Sequence, residues 1–145
     1  MKSSILSTAV LLLSLSKLAL FQQVMPVTYD ENYDNGHMDL LTTACSDGSN
    51  GLVTKGFNVT GDLPTFPGVG AAFSVEGWNS SNCGKCYKLT FKHTGMAMPV
   101  IAIDQAGNGF NIAKAAMDQL TGGRATDLGN VSMAVIEAAT GDCWM

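Results

Sequence analysis

Asp104 is the side chain in this 145-residue chain that most asks for a chemical role. It directly follows the apolar run Val100–Ile103, and a carboxylate at the end of such a run is costly to bury unpaired. Two settings satisfy it: the wall of a groove, or a turn in which backbone N–H groups of Ala106 to Asn108 hold it. The groove is favoured, because ligand sites gather at strand ends. Asp47, Asn50, Asn79 and Asn108 add polar side chains in loop-like segments, and Trp78 adds an indole face. Such a set suits a sugar, whose hydroxyls need donors and acceptors and whose pyranose ring has an apolar side. Plainer roles stand beside this one. Asp47 and Asn50 can close turns through Asx hydrogen bonds, and Trp78 can pack on disulfides.

Hydrolysis of a glycoside asks for more, namely two carboxyls about 6.5–9.5 Å apart in an inverting enzyme. Asp47, Asp62 and Glu76 are available, but no motif pairs any of them with Asp104. His37 and His93 sit in turn-like contexts with no serine or cysteine nucleophile to serve. The expectation is a protein without catalytic residues, metal or cofactor. Cys83-Gly84-Lys85-Cys86 has redox-type spacing, but it runs into an alternating strand instead of the helix that would activate a thiol. A four-cysteine zinc site needs two close pairs, and Cys45 and Cys143 are isolated. Structural disulfides are left, with Cys83 and Cys86 each joined to a distant cysteine.

The elements that must position these residues are short. Tyr87–Lys92 alternates apolar and polar residues, as a half-buried strand does. Pro99–Ile103 suits a strand buried on both faces, Val131–Ala139 is a third strand, and Ala71–Val75 and Leu52–Thr54 are weaker ones. Ser46–Gly51 and Asn79–Gly84 punctuate them as turn clusters. Tyr29–His37 reads as a polar, acidic N-terminal arm. One helix is expected from an Asn111 cap through Leu120, ended by Gly122-Gly123. The result is a mainly β fold with short helices, in a single domain.

Residues 1–22 resemble a secretory signal: Lys2 opens it, Ile5–Leu20 is mostly apolar, and cleavage falls between 19 and 26. Lys17 interrupts the run, which is shorter than the roughly 20 apolar residues of a membrane span. The domain is taken as 27–145. Six basic residues remain there, Lys55, Lys85, Lys88, Lys92, Lys114 and Arg124, against 12 acidic ones. Without a basic stripe, neither nucleic acid nor an anionic membrane is an expected partner. Export fits the even cysteine count and three sequons at Asn58, Asn79 and Asn130.

Three stretches together resemble the cerato-platanin family. They are Cys45 to Leu52 (CSDGSNGL), Gly77 to Thr90 (GWNSSNCGKCYKLT) and Ala102 to Ile112 (AIDQAGNGFNI), supported by Val27 to Asp30, Phe66-Pro67 and Ala116 to Gly123. The resemblance implies a six-stranded double-psi β-barrel, like that of expansins, barwin and some inverting endoglucanases. It implies the disulfides Cys45–Cys83 and Cys86–Cys143. It further implies export to the wall or medium of a filamentous fungus; the chain itself is expected as a monomer, with self-assembly at interfaces as a further reading. Chitin or other cell-wall polysaccharide oligomers would be its ligands, cellulose would be loosened without hydrolysis, and a plant host receptor would be a further partner in elicitation or virulence. Asp104 matches a catalytic position of the barrel endoglucanases, so weak glycoside hydrolysis is the alternative. Two positions depart from the pattern. Ser81 replaces a common Pro and creates the sequon at Asn79, where a glycan would crowd Trp78, and Gln105 replaces a common His after the aspartate.

Overall fold

The computed structural model describes residues 22–145, so the signal-like segment lies, but for Gln22, outside the described residues. Strand β1 spans Gln23–Asp30 and leads into a 3-10 turn at Glu31–Asp34. After a long loop come β2 (Val69–Ala72), β3 (Cys86–Phe91), β4 (Met96–Gln105) and β5 (Phe110–Ala113). Helices α1 (Lys114–Thr121) and α2 (Ala125–Leu128) follow, then β6 (Asn130–Ala138) and a 3-10 turn at Thr140–Cys143.

The strands close into a six-stranded double-psi barrel in the order β1-β5-β2-β4-β3-β6, with β6 returning to β1. β1 with β5 and β2 with β4 pair parallel, and the other four pairings are antiparallel. Closure gives each strand a partner on both sides over at least part of its length, although the Met96–Val100 half of β4 pairs only with β3. Val27, Leu89, Ile101, Ile103, Phe110, Ile112 and Met133 fill the interior. Phe110 meets Tyr87 edge-on with ring centroids 5.1 Å apart, and Phe73 meets both rings, an arrangement the ring quadrupoles favour.

β3, β4 and β6 stand where alternation and apolar runs place them. Tyr87, Leu89 and Phe91 are buried and Lys88 is exposed. Elsewhere the tertiary structure overrides the local pattern. Asn111 is not a helix cap: it lies in β5, paired with Thr28 and Ala71, and its Oδ1 accepts from Thr28 Oγ1 at 3.0 Å. The helix starts at Lys114, and its Ala115 N–H donates to Asp34 Oδ1 at 2.8 Å, so a turn 81 residues away supplies the cap. Gly122, in the left-handed region at φ 70°, ends it as expected.

Of the Tyr29–His37 arm only Tyr29 and Asp30 are strand, the end of a β1 that pairs with β6 from Gln23 and with β5 as far as Asp30. Pairing thus begins four residues ahead of Val27. Leu52–Thr54 is a turn whose Leu52 is buried, and β2 lies two residues earlier than Ala71–Val75 suggests.

Candidate functional site

The strand that carries Asp104 delivers it half-buried to the end of the barrel. Its Oδ1 accepts from the N–H of Ala44 and from that of Gln105, both at 2.9 Å. Oδ2 accepts from the Tyr33 hydroxyl at 3.1 Å. Asp104 is therefore both things the sequence leaves open, a held carboxylate and a groove wall. The N–H groups that hold it come from Ala44 and Gln105, not from Ala106–Asn108.

The groove is an open cleft of about 430 Å3, whose walls include Asp104, Asp30, Glu31, Asn32, Tyr33, Asn35, Met38, Thr42 and Thr43. Asp104 is not a lone acid there, because Asp30 and Glu31 share the cleft. Neither is among the second carboxyls weighed from the sequence, since the fold brings the acidic arm onto the Asp104 strand end. Asp30 Oδ1 accepts from the Asn32 N–H at 2.9 Å, which fixes the 3-10 turn that presents the arm. Burial and the neighbouring Asp104 push the Tyr33 phenol well above its ordinary pKa, so it remains a donor to the carboxylate.

Four of the six sugar-binding candidates meet in a second place. Trp78 Nε1 donates to Asp47 Oδ1 at 2.7 Å, Asn50 N–H donates to Asn79 Oδ1 at 2.9 Å, and Asn50 Nδ2 donates to Asn79 O at 3.0 Å. These bonds zip the 46–51 turn to the 77–82 turn beside the Cys45–Cys83 disulfide. Gly48 is needed at the crossing, where a Cβ would lie 2.6 Å from Asn79 Oδ1. Asn79 itself has φ 59°, a conformation asparagine tolerates better than most residues. Trp78 is 64% exposed, so its indole faces solvent instead of packing on the disulfides.

Asn108 stands apart from that cluster, exposed in the turn between β4 and β5. The second disulfide joins Cys86 to Cys143, and the described chain has no free cysteine. Of the sequon asparagines, Asn58 and Asn130 are exposed and Asn79 is half-buried in the loop zipper. Among the described residues, no group of three or more His, Cys, Asp or Glu side chains gathers to hold a metal ion. The same residues contain no helix long and apolar enough to cross a membrane.

Sequence reasoning missed Asp30, Glu31, Asn32, Tyr33 and Asn35. Their signal was the dense run of acids, amides and tyrosines from Tyr29 onward, which reads as a solvated arm until the strand before it is recognised. Trp144, which is 70% exposed, was also missed.

A family model described as cerato-platanin matches residues 25–145. The chain is 46% identical over 143 residues to a protein of Arthroderma benhamiae named allergen Asp f 15 homolog, covering 99% of this chain and 69% of that one. Among solved structures, cerato-platanin 3 from M. perniciosa is similar with a TM-score of 0.82 at 41% identity, covering 85% of this chain and 100% of that one. The solution structure of the fungal elicitor cerato-platanin is similar with a TM-score of 0.73 at 29% identity, covering 81% and 95%.

Proposed function

Since the chain belongs to the cerato-platanin family, we propose that it is an exported, non-catalytic wall protein that binds chitin as N-acetylglucosamine oligomers in the Asp104 cleft. The observation that carries this reading is the composition of that cleft. Carboxylates of Asp30, Glu31 and Asp104 accept from hydroxyls and from the acetamido N–H. Asn32 and Asn35 donate to the acetamido carbonyl and to ring hydroxyls, the Thr42 and Thr43 hydroxyls, whose own protons go to Asp39 O and Leu40 O, are left to accept, and Met38 gives the acetyl methyl an apolar contact. Binding of this kind loosens packed polysaccharide by competing for its interchain hydrogen bonds, with no bond cleaved. Chitin fragments carried away from the wall, or the protein surface itself, would then reach a plant receptor, in line with the solved relative described as a fungal elicitor.

The second reading is weak glycoside hydrolysis, and the presence of Asp30 and Glu31 beside Asp104 favours it. Binding is preferred because each Asp104 oxygen already takes a protein donor and Asp30 is occupied in its turn. Hydrolysis needs one carboxyl poised to give a proton and another to activate water.

Titration with the N-acetylglucosamine tetramer, followed by backbone NMR shifts, tests the proposal. Shifts are expected at Asn32, Asn35 and Thr42, and Asn32→Ala should weaken the tetramer's Kd by roughly tenfold, about 1.4 kcal/mol. An unperturbed cleft at saturating tetramer would remove the reading. Reducing ends released from chitin, and lost in both Glu31→Gln and Asp104→Asn, would replace it with the hydrolase.

A further inference from the structure

We propose that the groove beside Trp144 is a second site for neutral polysaccharide, separate from the Asp104 cleft and able to bind at the same time. The groove encloses about 470 Å3 and is lined by Trp144, Lys88, Ala97, Met98, Pro99 and Asp142, among others. None of its residues lines the Asp104 cleft. Pro99 and Asp104 lie five residues apart on β4, which places the two sites roughly 17 Å apart along one strand.

Trp144 has the largest exposure among the large apolar side chains of the described residues, and its backbone is in the left-handed region at φ 58°. A bulky residue persists there only where its surroundings impose it. Here the Cys86–Cys143 disulfide fixes the preceding residue, while the Trp144 N–H donates to Gly141 O at 3.0 Å and that of Met145 to Thr140 O at 3.3 Å. The 3-10 turn so formed holds the indole off the barrel at the rim of the groove, instead of letting it fold down onto the apolar strand residues. An aromatic face kept open against that pull is suited to the C–H side of a pyranose. Ala97, Met98 and Pro99 give the sugar a dry floor, and the Lys88 ammonium and Asp142 carboxylate reach equatorial hydroxyls at its edge.

Charge selects the occupant. Lys88 and Asp142 bring one charge of each sign, and the adjacent Lys85–Glu137 pair at 3.0 Å is also balanced. The groove is thus neutral in a chain of formal net charge −4. A polyanion meets no excess cation there, and a polycation meets no excess acid. A neutral β-linked glycan matches both the charge and the mix of flat apolar and polar surface. Two such sites at opposite ends of one strand let a single molecule engage two chains, or two points of one chain. On an insoluble polymer the second contact becomes intramolecular and raises retention without raising affinity for a short soluble oligomer.

The test follows the Trp144 indole N–H signal by NMR during titration with cellotetraose and with the N-acetylglucosamine tetramer, alongside retention on insoluble chitin. The indole signal should move with at least one tetramer, and should move equally in Asn32→Ala, since the sites are independent. Trp144→Ala should lower the apparent affinity for insoluble chitin by roughly tenfold, and Trp144→Phe should restore most of it, because a ring face is what the groove presents. An indole signal unmoved by both tetramers overturns the proposal, as does unchanged retention of Trp144→Ala. Sedimentation supplies a third arm, in which dimerisation at working concentration, abolished by Trp144→Ala, would make the face a contact between copies and overturn the sugar site. Indole shifts without shifts at Asn32 would remove the Asp104 cleft reading and leave this one standing.

Discussion

Tyr33 and Asp104 lie 71 residues apart and share one hydrogen bond inside the candidate site. The phenol is 7% exposed, and its hydroxyl finds the carboxylate as its partner. Removing it in Tyr33→Phe deletes a charge-assisted bond, and the expected loss of stability is about 1.5 kcal/mol, the low end for such bonds because Asp104 is only half-buried. Asp104→Asn should lose more, since the two backbone N–H groups of Ala44 and Gln105 also donate to the carboxylate. Urea denaturation of both variants checks the order. A midpoint for Asp104→Asn equal to that of the parent would mean that the carboxylate serves the ligand alone. From the sequence, Asp104 could be placed at a strand end because Val100–Ile103 is a plain apolar run. Its partner could not be found, because nothing in the spacing of Tyr33 refers to a residue that far away.

Among the elements, legibility followed how much of each strand's burial is repeated locally. β3 and β4 show it in their own residues. β5 does not: its four residues, Phe110–Ala113, are short enough to be read as the first turn of the helix that follows. β1 contains Pro26 and opens on the exposed Gln23 and Val24, and it is recruited by β5 and β6 from far along the chain. The joint between α1 and α2 has its own chemistry. Asp118 Oδ2 accepts from Lys114 Nζ at 2.8 Å, and Oδ1 accepts from the Ala125 N–H at 2.9 Å. The Lys114 hydrogen bond, with that of Ala125 behind it, lowers the Asp118 pKa, and the backbone N–H groups of Asn58 and Val59 lower that of Asp62. Depressed carboxyls stabilise the fold above their unfolded value near 3.8 and lose that contribution as pH falls through their folded values. The Lys114 pKa is raised mainly by the same hydrogen bond, so its contribution is complete below 10.5 and is lost as pH rises through the folded value. The urea midpoint should therefore hold across neutral pH and fall once the pH drops below about 4. Asp118→Asn should flatten part of that fall, and an acid limb identical to the parent's would show that the α1–α2 joint carries no linked stability.

For the whole molecule, the barrel interleaves strands from distant parts of the chain, and its two disulfides tie different segments to it, one the 45–52 loop and the other the C-terminal turn. Cys45–Cys83 closes a separation of 38 residues and Cys86–Cys143 one of 57. By chain entropy each is worth about 4 kcal/mol, so thermal stability alone hardly tells them apart. Function should. Cys45 follows Ala44, whose N–H holds Asp104, and its own N–H donates to Ile103 O at 3.2 Å. Loss of that bridge in Cys45→Ala/Cys83→Ala frees both the Asp104 cleft and the Trp78 loop zipper. Loss of the other in Cys86→Ala/Cys143→Ala leaves those intact and frees the turn that holds Trp144 off the barrel. The expectation is two proteins of similarly lowered melting temperature and opposite defects. The first should lose tetramer shifts at Asn32 and Asn35 yet keep the Trp144 indole response, and the second should do the reverse. Equal damage to both responses in either variant would mean that the barrel transmits the loosening between the two surfaces, and that they are not independently braced.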